Sequence, residues 1–434
     1  MRLAGRMAAA IEILQDMEER HRPVSLALKN WGLAHRFAGS GDRAAIGNMV
    51  YDALRQKASL AYIMGSDSPR ALVLAVVVRK WGQDISELQA IFASDNFAPS
   101  EITKEEIERL EAEKPLVDAP DVVIANIADW LKPSFEKAFG ENWIDEAKAF
   151  TKRPPLDLRI NELKLKTDRV QKALKRFSPE ISEILPFALR IEAGEAASRT
   201  PNVTSDEAFK KGWFEVQDLG SQIVAALIDA QPKEQLLDYC AGAGGKTLSL
   251  SAQMKNSGQI FAYDIDRHRI APIHERIKRN GVRNVQIIEP ESEALKAKLN
   301  KMDKVVVDAP CTGTGTWRRR PDTKWKLTQE QLENRLKDQA EILDAAAKYV
   351  RPGGQLSYIT CSILPQENDE QIENFLSKNK NFKAIASHSL WQKKFGSTNK
   401  ARPYFGKNGI TLTPASTQSD GFFISILERD IIKS

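Results

Sequence analysis

Cysteine is scarce in this sequence: 434 residues hold only Cys240, Cys311 and Cys361, with no CxxC pair, and histidine contributes five more side chains. So thin a supply of soft ligands argues against a zinc site or a disulfide framework, and no metal is expected. Long apolar runs are lacking too. The longest, Ala71 to Val78, stands between Arg70 and Arg79 and falls well short of the ~20 residues a membrane helix needs, so no span is expected. Near the start, Met7 to Ile11 is soon followed by Glu12, Asp16, Glu18 and Glu19, which fits an amphipathic helix better than a signal peptide, and the expected location is cytoplasmic. Nor does one sign of charge dominate. With 63 basic residues nearly offset by 58 acidic ones, the net charge of +5 does not by itself identify a nucleic-acid partner.

What is present is the composition of a soluble globular protein, 42% hydrophobic and 28% charged, in a chain longer than one core usually supports. The first ~95 residues read as helices by period counting. In the clearest segment, Ser40, Gly41 and Asp42 supply a cap, and Ile46, Met49, Val50, Ala53 and Leu54 recur on one helical face. Residues 101–114 are dense in charge and helix formers, with Pro115 closing an exposed helix. From Pro154 to about Ala196 the sequence reads strand, helix, strand: PPLDLRIN, TDRVQKALKRF and FALRIEAG. Beyond Gln217, strands and helices alternate, which predicts a mostly parallel sheet with crossover helices. Its strands are placed at Gln235–Asp238, Gln259–Asp264, Val285–Ile288, Lys304–Asp308, Gln355–Thr360 and Phe422–Leu427. The expected division is a helical region over 1–145, a small α/β subdomain over 146–210 and a catalytic α/β domain over 211–434.

Three motifs carry chemistry. The first, Leu236 to Thr247, is an apolar strand running through Cys240, Ala241, Gly242, Ala243, Gly244 and Gly245 into a helix that opens with Lys246. Such a turn brings a ligand close to bare backbone at a helix start. A phosphate loop would need Gly where Cys240 stands, and a dinucleotide fingerprint would need Gly where Thr247 stands. A cofactor without a pyrophosphate, as in adenosylmethionine enzymes, is the remaining reading. Asp264 ends the following strand, where an acid accepts from ribose hydroxyls, while Asp266 is free to cap the next helix. The second motif, Val305 to Thr316, delivers Asp308, Pro310 and Cys311 to a strand's carboxyl end, the edge at which open α/β sheets bind ligands. The third, Ser357 to Ser362, ends another strand in Cys361. The two cysteines share a cleft if their strands are neighbours.

These segments resemble the Sun-type family of RNA cytosine-5 methyltransferases. The likeness rests on PPLDLRIN (154–161), DYCAGAGGK, YDID, DAPCTGTG, RRRPDTKW (318–325), TCSILPQEN (360–368) and DGFF (420–423). It implies a Rossmann-like class I methyltransferase domain with S-adenosyl-L-methionine as cofactor, and a bacterial member of the family methylates small-subunit ribosomal RNA. It further implies an antiterminator-like RNA-binding bundle at the front and a small RNA-recognition-like subdomain behind it. Carried over residue by residue, the resemblance makes Cys361 the nucleophile and Cys311 the residue that assists product release. Cofactor contacts fall on Cys240, Ala241, Gly242, Ala243, Gly244, Gly245, Lys246, Asp264 and Asp308. Two departures stand out: Gly242 and Ala243 replace the family's usual Ala and Pro, and Ile288-Glu289-Pro290-Glu291 replaces its usual Gly-Asp, leaving Glu291 as the candidate adenine-side contact.

The chemistry accounts for these residue types. Carbon 5 of cytosine is a poor nucleophile until a thiolate adds to carbon 6 and converts the ring to an enamine. Asp308 is expected to meet the exocyclic amine or N3, and Lys246 to neutralise Asp308 or orient the cofactor. After DAPC, the loop Trp317, Arg318, Arg319, Arg320, Lys324, Trp325 and Lys326 offers cations and indoles, and is expected to contact RNA beside the cleft. The expected partner is RNA, ribosomal in preference to transfer RNA, and the chain is expected to be a monomer. A catalytically silent RNA-binding assembly factor and exchanged roles for the two cysteines stay open as alternatives.

Overall fold

The computed structural model describes residues 1–290, 292–396 and 399–431. The chain folds as two compact units. The first comprises Met1–Pro154, Ala193–Pro201 and Trp317–Lys326, and the second Pro155–Glu192, Asn202–Thr316 and Leu327–Ser434.

The first unit is a helical bundle around a core that includes Met7, Ile13, Leu14, Ile46, Met49, Val50, Leu72, Val76 and Leu88. Its helix Ser40–Arg55 buries the five apolar residues that the period picks out, and Asp42 reaches back to accept from the Gly39 N–H at 3.2 Å. The charged stretch forms a shorter helix than its composition suggests, Lys104–Glu111, opened by a capping box between Thr103 and Glu106. Among the described residues no single helix is long and apolar enough to cross a membrane.

The segment Trp317–Lys326 corrects an expectation. Part of it is built into the helical unit, with Trp317, Arg318 and Lys324 buried, while Arg320 and Lys326 remain exposed. Trp317 stacks on Phe135, their centroids 6.1 Å apart, and meets Phe150 edge-on. Lys324 Nζ donates to the Arg55 carbonyl at 2.9 Å and Trp325 Nε1 to the Leu54 carbonyl at 2.6 Å, so the two side chains cap the carboxyl end of helix Ser40–Arg55. Asp322 accepts from the Val24 N–H at the start of helix Val24–Ala34, which Pro23 cannot cap through a side chain. Sequence reading missed this because a basic, aromatic loop looks alike whether it faces RNA or orphan helix carbonyls.

Burial, with Arg55 nearby, pushes Lys324 down to about 7. The unfolded chain therefore binds more protons than the folded one between about pH 7 and the ordinary lysine value, and stability rises with pH across that window. Lys324→Met removes this slope. In thermal melts from pH 7 to 9.5, the wild type should gain on the variant by on the order of a few kcal/mol; parallel profiles would show that Lys324 does not titrate there.

The second unit contains two sheets. In the smaller, strands β1 (Leu156–Ile160), β2 (Glu180–Ile181), β3 (Ala188–Ile191) and β4 (Phe214–Val216) lie in the antiparallel order β2-β3-β1-β4. β4 comes from inside the stretch read as catalytic, 211–434, and pairs with β1 in a register that sets Arg159 opposite Glu215. Conversely, residues 193–201, read as part of the small subdomain, belong to the helical unit, where Arg153 donates to the Gly194 and Ala196 carbonyls.

The larger sheet has nine strands. Five are parallel neighbours: β5 (Gln235–Asp238), β6 (Gln259–Tyr263), β7 (Val285–Ile288), β8 (Met302–Asp308) and β9 (Val350–Thr360), in the order β9-β8-β5-β6-β7. β13 (Phe422–Arg429) runs antiparallel beside β9, with β10 (Phe382–Ala384) and β12 (Ile410–Leu412) against it and β11 (Tyr404–Phe405) at the edge. The strands expected from sequence are all here, lengthened at β8, β9 and β13. The short strands β2, β4, β10, β11 and β12 were not foreseen, since two or three residues carry too little alternation to register. Strand order reverses at β5, which has β6 on one side and β8 on the other. A crevice outside the carboxyl ends is expected at such a point.

Candidate functional site

The glycine loop leaves β5 at Asp238 and ends at Gly245, the first residue of helix Gly245–Gln253. Gly242 (φ +47°) and Gly244 (φ +81°) both take left-handed backbone conformations, and a Cβ on Gly244 would lie 2.4 Å from the Ile273 side chain. The glycine gained at 242 relative to the Sun-type pattern thus occupies a position that favours it. Asp264, 2% exposed, anchors the loop from the neighbouring strand: one oxygen accepts from the Gly242 N–H at 2.9 Å and the other from the Asp266 N–H at 3.0 Å. Asp266 caps the following helix, accepting from the His268 and Arg269 N–H groups.

Beneath the loop lies Asp238, quoted above within a motif but not singled out. Burial pushes its carboxyl up to about 7; the Thr247 hydroxyl, donating to it at 2.6 Å, works the other way. Its second oxygen has no hydrogen-bond partner among the described residues. A strand-ending acid ahead of a glycine turn was the available signal. Lys246, also buried, extends from the first turn of the helix to Asp308 Oδ2 at 2.6 Å, so the expected ion pair is present. Cys240 lies in the same loop, and burial with the surrounding carboxylates raises its thiol far above the ordinary range.

β8 and β9 are parallel neighbours with Asp308 in register with Ile359, so the chain leaving each strand emerges at one edge. There Cys311 Sγ and Cys361 Sγ stand 3.3 Å apart. The hydrogen bond shared with Cys361 is the main cause, and burial the next, of a Cys311 thiol held well above the usual thiol range. Glu367, which sequence reading did not pick out of TCSILPQEN, fixes the Cys311 turn. Fully buried, it accepts from the Thr312 N–H at 2.8 Å, from the Thr312 hydroxyl and from Gln339 Nε2. The Cys361 side is braced by Thr314, whose hydroxyl bonds Ser362 and accepts from the Ile363 N–H. Gly315 packs so closely on Gly421 that a Cβ would lie 2.0 Å from its carbonyl oxygen, which explains the second glycine of CTGTG. Glu291, the candidate adenine-side contact, lies outside the described residues.

With this geometry in view, comparison with known proteins is specific. The sequence profile of the 16S rRNA methyltransferase RsmB/F family matches residues 225–428, and that of the RsmF/B-like ferredoxin-like domain matches 127–196. Over residues 225–428 the chain matches the RsmB/F methyltransferase family. Its similarity to the probable ribosomal RNA small subunit methyltransferase B of Synechocystis is 33% identity over 306 residues, 69% of this chain and 66% of that protein. The aligned part thus stops just short of two thirds of the relative's length. Among solved structures, PH0851 superposes over 99% of both chains with a TM-score of 0.73 at 24% identity. NSun6 from Pyrococcus horikoshii, solved with the adenosylmethionine analogue SFG, covers 70% of this chain and 98% of its own with a TM-score of 0.60 at 22% identity. At these identities the likeness is one of fold, a Rossmann-like, mostly parallel sheet with a helical N-terminal region.

Proposed function

We propose that this chain transfers a methyl group from S-adenosylmethionine to carbon 5 of a cytosine in small-subunit ribosomal RNA through a covalent bond from Cys361 to carbon 6. The observation that carries the reading is the pair of cysteines 3.3 Å apart at two neighbouring strand ends, on the edge that also presents the Lys246–Asp308 ion pair. The relatives' activity on ribosomal RNA supports the substrate.

The residues fit adenosylmethionine. Asp238, Asp264 and Asp308 act on one another at this edge, with Lys246 paired to Asp308 and Arg269 3.9 Å from Asp264, an acidic set suited to a ligand carrying a sulfonium and an ammonium, and one buried Asp238 oxygen awaits a donor. The loop from Cys240 to Lys246, with Asp264 and Asp308, would hold the cofactor, whose chemistry is to supply an electrophilic methyl group.

In the proposed reaction the Cys361 thiolate adds to carbon 6, forming a C–S bond and pushing electron density to carbon 5. Asp308 is proposed to accept from the exocyclic amine, which favours cytosine over uracil, while Lys246 holds its Oδ2 in place. Once carbon 5 carries the new methyl group it gives up its proton to solvent water, the ring regains its double bond and the C–S bond breaks, returning the thiolate. Burial and the shared hydrogen bond keep Cys311 protonated, which suits it to this later stage rather than to the opening attack.

The test is to incubate the protein with methyl-tritiated adenosylmethionine and unmodified ribosomal or transfer RNA, then map products by bisulfite sequencing. Label is expected at cytosine carbon 5 of small-subunit ribosomal RNA. Label confined to transfer RNA would refute the substrate, and label on another base would refute the chemistry.

A further inference from the structure

The small sheet offers no open face to an RNA base. Leu158, Ile160, Leu189, Ile191 and Phe214 on one side are packed in an apolar cluster with Val170 and Leu174. On the other side Asp157, Arg159 and Glu215 are 2–3% exposed. There Asp157 accepts from the Leu219 N–H at 3.0 Å, and Glu215 accepts from Arg276 at 2.9 Å and Asn280 at 2.5 Å. With both faces covered, stacking of bases across the strands is excluded, and RNA contact by this subdomain has to come from its rim.

The rim is basic where it meets helix Ile273–Asn280. That helix ends at Gly281 (φ +69°), and the turn at 211–213 fits so closely that a Cβ on Gly212 would lie 2.0 Å from the Arg279 carbonyl oxygen. Lys164 Nζ bridges the junction, donating at 2.6 Å to both the Lys211 and the Arg279 carbonyls, and burial together with Arg279 lowers its pKa. Gly281 lies against the Lys164 stem, with exposed Lys278 and Arg283 on either side of it in the chain, and exposed Lys211 lies 5.3 Å over the half-exposed ring of Trp213. None of Lys164, Lys211, Lys278 and Arg283 has an ion-pair partner among the described residues, whereas Arg276 and Arg279 beside them share Glu215 as a partner. Cations left unpaired around a helix carboxyl terminus and interleaved with an indole form a surface for a phosphate backbone.

We infer that the rim formed by Lys164, Lys211, Trp213, Lys278 and Arg283 is where the substrate RNA's backbone docks, outside the catalytic crevice. This rests on the RNA methyltransferase reading above. The surface gives affinity and register without reading sequence, as phosphate contacts do.

The experiment compares the wild type with a Lys211→Glu, Lys278→Glu, Arg283→Glu triple variant, and with the milder triple Gln variant, for binding to an unmodified small-subunit ribosomal RNA transcript from 50 to 300 mM salt. Removing three phosphate contacts should lower the slope of log affinity against log salt by about two to three, weaken binding at least tenfold at low salt and raise KM. The Gln variant should fall in between, and kcat at saturating RNA and calorimetric adenosylmethionine binding should be unchanged. If the wild type binds and methylates RNA but both variants keep its affinity and slope, the docking surface is wrong and the enzyme assignment stands. A wild type that neither binds nor methylates RNA overturns both.

Discussion

Cys361→Ala should methylate RNA at least about 10⁴-fold more slowly than the wild type, the scale on which removing a covalent nucleophile acts, while its calorimetric affinity for adenosylmethionine stays within a few-fold. The separation is expected because Cys361 lies at the end of β9, whereas the glycine loop and Asp264 belong to β5 and β6 on the far side of β8. Cys361→Ser should be almost as inactive, since a hydroxyl is scarcely ionised where a thiol partly is. Activity of Cys361→Ala within tenfold of wild type would end the assignment. If Cys361→Ala accumulated a covalent adduct and Cys311→Ala lost activity without one, the two roles would be exchanged.

Cys311→Ala should instead trap protein on RNA. In the presence of adenosylmethionine a covalent complex is expected to build up, visible as a slow band on a denaturing gel, and to disappear in the Cys311→Ala, Cys361→Ala double variant. The reason is positional and electrostatic. Cys311 Sγ lies 3.3 Å from the sulfur that must be expelled, and its shared hydrogen bond and burial keep it a thiol while Glu367 holds its turn in place. Without it the C–S bond forms but has no assistance in breaking. If Cys311→Ala turned over normally and left no adduct, Cys311 would be a packing residue. The two variants are diagnostic only together, because each alone also lowers turnover.

Much of the catalytic unit was legible because its signals are local. The all-apolar run before Asp308 is a strand buried on both faces, and the glycines of the loop mark the turn that leaves β5. The Lys246–Asp308 pair was also within reach, since a lysine in the first helical turn after β5 and an acid ending β8 come to one edge. Asp238 and Glu367 escaped notice for the opposite reason. Each is a single acid whose importance comes from being buried among groups distant in sequence, as Glu367 is by Thr312 and Gln339.

The loop after DAPC shows how composition misleads. Trp317, Lys324 and Trp325 have the residue types of an RNA contact, yet their polar and aromatic groups meet Phe135 and the carbonyls of Leu54 and Arg55, hundreds of residues earlier. A basic side chain satisfies a helix carboxyl terminus by the same donors that satisfy phosphate. Only packing separates the two uses. The same holds for the cations of the rim, in reverse: Lys211, Lys278 and Arg283 form no motif, and the fold makes them neighbours.

By itself the sequence determined the order of strands, the glycine turn and the strand-end positions of both cysteines, because periodicity and turn chemistry act between residues close along the chain. Tertiary structure alone decided that β8 and β9 are adjacent, which of the acids are buried, and that β4 joins the small sheet while Trp317–Lys326 joins the helical unit. These depend on which distant surfaces exclude water from one another, and the free energy of that choice is spread over many contacts rather than written in any one segment.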